Sequence, residues 1–165
     1  MPKSILQRLS ASLAREGVRG AAARLHRFLL EYWFDFRNGV DTRKTAELFQ
    51  LKIRGENAAS GTRYAPTRVS VLRALFTELA DLFPPESILL DIGCGKGRAL
   101  LLAAEAGFRE AHGVEFAHEL CEIATRNCAV YARRSRTGTR LSVHECDALS
   151  YPIQNDENVF YIANP

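Results

Sequence analysis

The sequence predicts an α/β fold, a parallel sheet with helices on both of its faces. Three observations predict it. Short apolar runs alternate with stretches of helical periodicity from residue 67 onward. The first of those runs passes through glycines directly into a helix that itself ends on glycine. A content of 47% hydrophobic and 25% charged residues in 165 suits one soluble globular domain, with room for an appended segment. Strands alternating with helices call for right-handed crossovers, which make the sheet parallel.

The elements follow in chain order. Ser4 to about Tyr32 is rich in helix formers, with Gly17 and Gly20 marking a break between two helices. Residues 1–30 hold Lys3, Arg8, Arg15, Arg19, Arg24 and Arg27 against the single acid Glu16. Such a start reads as an organelle transit peptide, a contact with an anionic surface, or the solvated face of helices. The richest apolar stretch, 21–36, is broken by Arg24, Arg27, Glu31 and Asp35, which excludes a span needing about 18 uninterrupted apolar residues. The net charge of +3 is too small to argue for nucleic acid by itself.

Between Asn38 and Pro66 the chain is polar and punctuated by Gly39, Gly55 and Gly61, and reads as an ordered loop. From Thr67 to Phe83, Leu72, Leu75, Phe76, Leu79 and Phe83 recur at three- and four-residue steps, one buried helical face that Pro84-Pro85 ends. Ile88–Ile92 is a buried strand. A tight glycine turn, a helix through Ala99–Ala104 and a stop at Gly107 follow it. Residues 111–115, 141–145 and 159–163 are further strands, and 117–133 a helix. Four cysteines without C-x-x-C spacing read as small buried thiols, and no His/Cys cluster has metal-site spacing. With neither a signal peptide nor a disulfide framework evident, a reducing cytoplasm is the expected compartment.

The chemistry gathers at Asp91-Ile92-Gly93-Cys94-Gly95-Lys96-Gly97. Glycines at alternate positions after a buried strand let the backbone turn sharply and approach a ligand that a Cβ would push away. Glu115, 24 positions beyond Asp91 and at the end of the next strand, is placed to accept both hydroxyls of a ribose. Asp147, after the third strand, could accept from an adenine amino group. All three acids fall on the carboxyl edge of a parallel sheet, where one adenosine spans them. Each acid has a second reading as a turn former or helix cap. Phe116 either covers an adenine face or belongs to the core. Lys96 and Arg98 either meet an acidic group of a ligand or lie exposed at a helix start. His112, His118 and His144 are general bases only in principle.

DIGCGKGRALLLAAEAGF, GVEFAHEL, CDA and FYIANP resemble the successive motifs of class I S-adenosylmethionine-dependent methyltransferases. The resemblance covers about residues 34–165. FDFRNGVDTR, GTRYAPT and GCGKGR are similar to a group of small bacterial methyltransferases, and the glycine loop with GVE to the more distant Dot1 histone-lysine methyltransferases. The resemblance implies a Rossmann-like sheet of seven strands, four of them legible here, with S-adenosyl-L-methionine as cofactor. It divides the chain into 1–65, a helical extension and cofactor-covering loop, and 66–165, a partial cofactor domain.

The same resemblance implies roles. Gly93, Gly95 and Gly97 flank the methionine and ribose, Glu115 holds the ribose hydroxyls, and Asp147 with the Ala148 backbone reads adenine. Tyr64 and Thr67 close over the methionine end, Thr67 having a second reading as a helix cap. Asn164-Pro165 faces the methyl group and orients a target nitrogen, or is a strand-ending turn. The acceptor is open: protein, small molecule or nucleic acid. With four strands of seven, the chain is expected to be a fragment rather than a truncated pseudoenzyme or a half completed by another chain.

Two rivals remain. A nicotinamide dehydrogenase shares the fold and the ribose acid, but its fingerprint wants glycine or alanine where Arg98 stands. A P-loop enzyme needs Gly-Lys-Ser/Thr, which is absent from the loop. The other rival is a cofactor-binding or regulatory module without activity.

Overall fold

The computed structural model describes residues 5–47 and 63–163. Helix α1 spans Ile5–Asn38 and is kinked at Gly17, where φ is 69°. That is one of the two glycines at which a break is expected. Gly20 instead continues the helix. The helix also runs past Tyr32, because Phe34 is buried in the core and Gly39, at φ 68°, supplies the left-handed residue that stops it.

Strands β1 (Ala46–Glu47) and β2 (Arg63–Tyr64) form a two-residue antiparallel ladder inside the stretch expected to be loop. Two residues carry no periodicity from which to read a strand. Helix α2 covers Val69–Glu78, and a 3-10 turn over Ala80–Leu82 completes the expected stretch. The remaining elements are β3 (Ile88–Ile92), α3 (Arg98–Ala106), β4 (Glu110–Glu115), α4 (His118–Ser135), β5 (Arg140–Glu145) and β6 (Val159–Ile162), each within two residues of its expected bounds.

The four longer strands form a parallel sheet in the order β5-β4-β3-β6. The chain steps outward from β3 through β4 to β5, then returns to place β6 on the other side of β3. The crevice beyond the carboxyl ends of β3 and β6 is therefore a topological switch point.

The helices sit differently from expectation. By register, Leu89, Ala111, Leu141, Val143, Val159 and Tyr161 share one sheet face. That face packs with Phe34 of α1, Val69, Leu72 and Phe76 of α2, Leu100 and its neighbours of α3, and Cys128 and Tyr131 of α4. All helices among the described residues thus cover one face rather than both. Two right-handed crossovers stepping in the same direction put α3 and α4 on the same side. Only the return from β5 to β6 crosses the other face, and it holds no more than a 3-10 turn, Ala148–Ser150.

That return is pinned by a polar cluster. The buried Glu157 carboxylate takes hydrogen bonds from the Tyr151 hydroxyl (2.7 Å) and the Gln154 amide (2.7 Å), and lies 2.7 Å from Nδ1 of His112 on β4.

Candidate functional site

The site grows from the end of β3. Gly93, Gly95 and Gly97 have φ of 78°, 55° and 80°, the left-handed region that side chains other than glycine avoid. Val114 on the neighbouring strand accepts from the amides of both Gly93 (2.9 Å) and Cys94 (3.0 Å), which turns the chain off the strand. Gly97 then precedes the first turn of α3.

Glu115 anchors the loop from β4. One carboxylate oxygen accepts from the Gly95 amide at 2.8 Å and the other from the Ala117 amide at 2.9 Å. A carboxylate has about four acceptor positions, so each oxygen keeps capacity for one further donor. That pair of acceptor positions suits two vicinal hydroxyls as donors.

Asp91 and Glu115 are both 4% exposed. Burial, reinforced by the nearby Glu115 charge, pushes Asp91 up to about 8. Burial also raises Glu115, against the lowering effect of the amides that it binds. A carboxyl protonated in the folded chain but ionised in the unfolded one makes the folded state hold more protons, so stability falls as pH rises. The window runs from the ordinary 3.8 of an aspartate to about 8. Urea denaturation of the ligand-free chain across that window should show a loss on the order of 1 kcal/mol per pH unit, removed by Asp91→Asn. A profile that the substitution leaves unchanged would refute a protonated Asp91.

The other expected residues fall around this edge. Tyr64 lies against the glycine loop so closely that a Cβ on Gly95 would come 2.1 Å from its ring. Its hydroxyl donates to the Thr42 carbonyl (3.0 Å), and burial pushes its phenol well above the usual range. Thr67 is not a helix cap: its hydroxyl pairs with that of Tyr161 on β6 at 2.8 Å, while Glu31 accepts from the first amide of α2. Phe116 is half-buried beside Glu115. Asp147 caps the 3-10 turn by accepting from Leu149 (2.9 Å), so its capping role is realised. Ala148, the next residue, opens that turn and is exposed. Asn164 and Pro165 lie outside the described residues.

Lys96 and Arg98 correct both of their expected readings, because each is buried and paired within the chain. Lys96 reaches Asp41 at 3.3 Å. Arg98 forms an ion pair with Glu31 of α1 and donates to Thr42 Oγ1 (2.8 Å) and the Thr67 carbonyl (3.0 Å). Its Nη2 is buried without a hydrogen-bond partner among the described residues. Asp35 in turn accepts from the amides of Thr42 (3.0 Å) and Arg43 (2.9 Å), and Asn127 of α4 bonds the backbones of Asp41 and Lys96.

Sequence reading missed Glu31, Asp41, Thr42 and Asn127. Asp41 and Thr42 stand in the FDFRNGVDTR stretch that carried the narrower resemblance, the one signal that pointed toward them. Gly113 was also missed. It lets β4 pass Cys94, whose sulfur would lie 2.6 Å from an added Cβ.

Residues 89–164 match the family model described as a methyltransferase domain. Among solved structures, the chain is similar to an S-adenosylmethionine-dependent methyltransferase from Thiobacillus denitrificans bound to S-adenosyl-L-homocysteine. Identity is 19% and the TM-score 0.51, over 61% of this chain and 38% of that one. It is similar also to a Pyrococcus horikoshii protein described as a candidate RNA methyltransferase, with 18% identity and a TM-score of 0.51, over 79% of this chain and 55% of that one. The alignments thus span less than two thirds of those proteins. Comparison with curated proteins returned no match.

Proposed function

We propose that this chain binds S-adenosyl-L-methionine and serves methyl transfer to an acceptor, a reading supported by the match of residues 89–164 to a methyltransferase domain model and by the Rossmann-like sheet. The observation that carries the reading is the Glu115 carboxylate, which holds the Gly95 amide and keeps acceptor capacity at the switch-point edge. The bound sulfonium supplies an already activated methyl group.

The chain's own residues bind and align. Glu115 accepts the ribose hydroxyls. Gly93, Gly95 and Gly97 admit the ligand close to the backbone. Asp91, buried behind the loop and held protonated in the ligand-free chain, ionises when a cationic amino group pairs with it. Tyr64 and Thr67 cover the methionine end, Phe116 covers a face of the adenine, and Asp147 with the Ala148 amide reads its edge. Asn164 and Pro165 orient the acceptor, for which a nitrogen is favoured. In-line displacement at an activated carbon depends mainly on alignment and exclusion of water. No general base is assigned.

Calorimetric titration tests this. S-adenosyl-L-homocysteine should bind and NAD should not. Glu115→Gln removes the charge and cannot accept two amides in the same way. A lost hydrogen bond to a charged group is worth about 1.5–3 kcal/mol, so affinity should fall roughly 10- to 100-fold. Binding of NAD alone, or full affinity in the variant, would overturn the assignment.

A further inference from the structure

Past its kink, α1 turns an apolar seam outward. Val18, Ala22, Leu25, Leu29, Tyr32 and Phe36 recur at alternating steps of four and three, and all are exposed, Val18 at 74% and Phe36 at 65%. Trp33, 56% exposed, lies beside Phe36 with ring centroids 6.1 Å apart. A contiguous apolar face of this kind on a surface helix marks an interaction site.

The charge around it has one sign. Arg19, Arg24 and Arg37 are exposed on the same helix, and Arg43 lies over the Phe28 and Tyr32 rings at 5.2 and 5.4 Å. The acids of α1 beyond Gly17 are Glu31 and Asp35. Both face inward, Glu31 to Arg98 and Asp35 to Thr42 and Arg43. The outward face thus combines aliphatic and aromatic side chains with arginine and no acid.

We infer that this half of α1 docks in the plane of an anionic phospholipid surface. Leucines and aromatic rings enter the acyl boundary, Trp33 and Tyr32 sit at headgroup level, and the arginines meet lipid phosphates. The helix lies on the bilayer rather than crossing it: among the described residues no helix is long and apolar enough to span. Two other occupants fit less well. A second copy would bring one arginine-bearing flank against another. Single-stranded nucleic acid would use the aromatic rings by stacking and leave Val18, Leu25 and Leu29 without partners.

Trp33 is the chain's single tryptophan, so its fluorescence reports on this face alone. Phosphatidylcholine vesicles containing phosphatidylglycerol should shift its emission to the blue and co-sediment with the chain. Pure phosphatidylcholine should do so weakly, and high salt should weaken the anionic response. Leu29→Glu and Arg19→Glu should each cut vesicle affinity roughly 10-fold, while thermal unfolding and S-adenosyl-L-homocysteine binding stay unchanged. Absence of a vesicle response in the folded wild-type chain overturns the inference. A concentration-dependent dimer that buries Trp33 without lipid overturns it in favour of a second copy. Quenching of Trp33 by an RNA oligonucleotide without any vesicle response overturns it in favour of nucleic acid.

Discussion

Gly95→Ala is expected to abolish measurable binding of S-adenosyl-L-homocysteine, a loss of about 100-fold or more, and to destabilise the chain by about 3 kcal/mol. Two causes add. Gly95 sits at φ 55°, where an L side chain costs about 1–2 kcal/mol. Its new methyl would also lie 2.1 Å from Tyr64 Cε2, far inside van der Waals contact. Moving the ring breaks the bond from the Tyr64 hydroxyl to the Thr42 carbonyl, worth about 1 kcal/mol.

The double variant Gly95→Ala with Tyr64→Ala separates the causes. In a Tyr64→Ala background, where the clash is gone, Gly95→Ala should cost only the roughly 1–2 kcal/mol of its left-handed backbone, measured by urea denaturation, and should still lower the affinity, because the added methyl occupies the approach to the loop backbone. Recovery of affinity in the double variant would mean that the ligand never uses that approach.

Glu31→Ala carries the second large effect. It strips the carboxylate from a guanidinium whose residue is 3% exposed and also frees the first amide of α2. Breaking a buried pair from one side typically costs about 3–5 kcal/mol. Glu31 retains some contact with water, so about 3 kcal/mol is expected, a fall in Tm of roughly 6–12 °C for a chain of this size. Glu31→Gln should lose less, since its amide oxygen still accepts from Val69. A double-mutant cycle with Arg98→Met should return most of the Glu31→Ala loss as coupling. A Tm unchanged in Glu31→Ala would show that the bridge between α1 and the glycine loop contributes nothing to stability.

These two residues differ in how far they could be read beforehand. Gly95 was visible because strand, alternating glycines and strand-end acids are local signals with fixed spacing. Glu31 was not, because it meets Arg98 across 67 positions of sequence. A glutamate on a basic helix looks like any solvated charge. Lys96 and Arg98 look like ligand contacts or exposed cations for the same reason: their partners, Asp41 just past the end of α1 and Glu31 on it, are placed by packing that no periodicity reports. Thr67 went the same way, since its partner Tyr161 is 94 residues on.

Local signals in the chain were enough to specify the α/β class, the bounds of the main strands and helices, and the glycine loop with Asp91 and Glu115 beside it. These follow from backbone sterics and hydrophobic periodicity, which act over a few residues. Long-range packing is what makes the described helices share one sheet face, ties α1 to the start of α3 through Glu31 and Arg98, and turns the seam from Val18 to Phe36 outward. Which side of a helix is buried, and which charges find partners, depends on what packs against it from far along the chain.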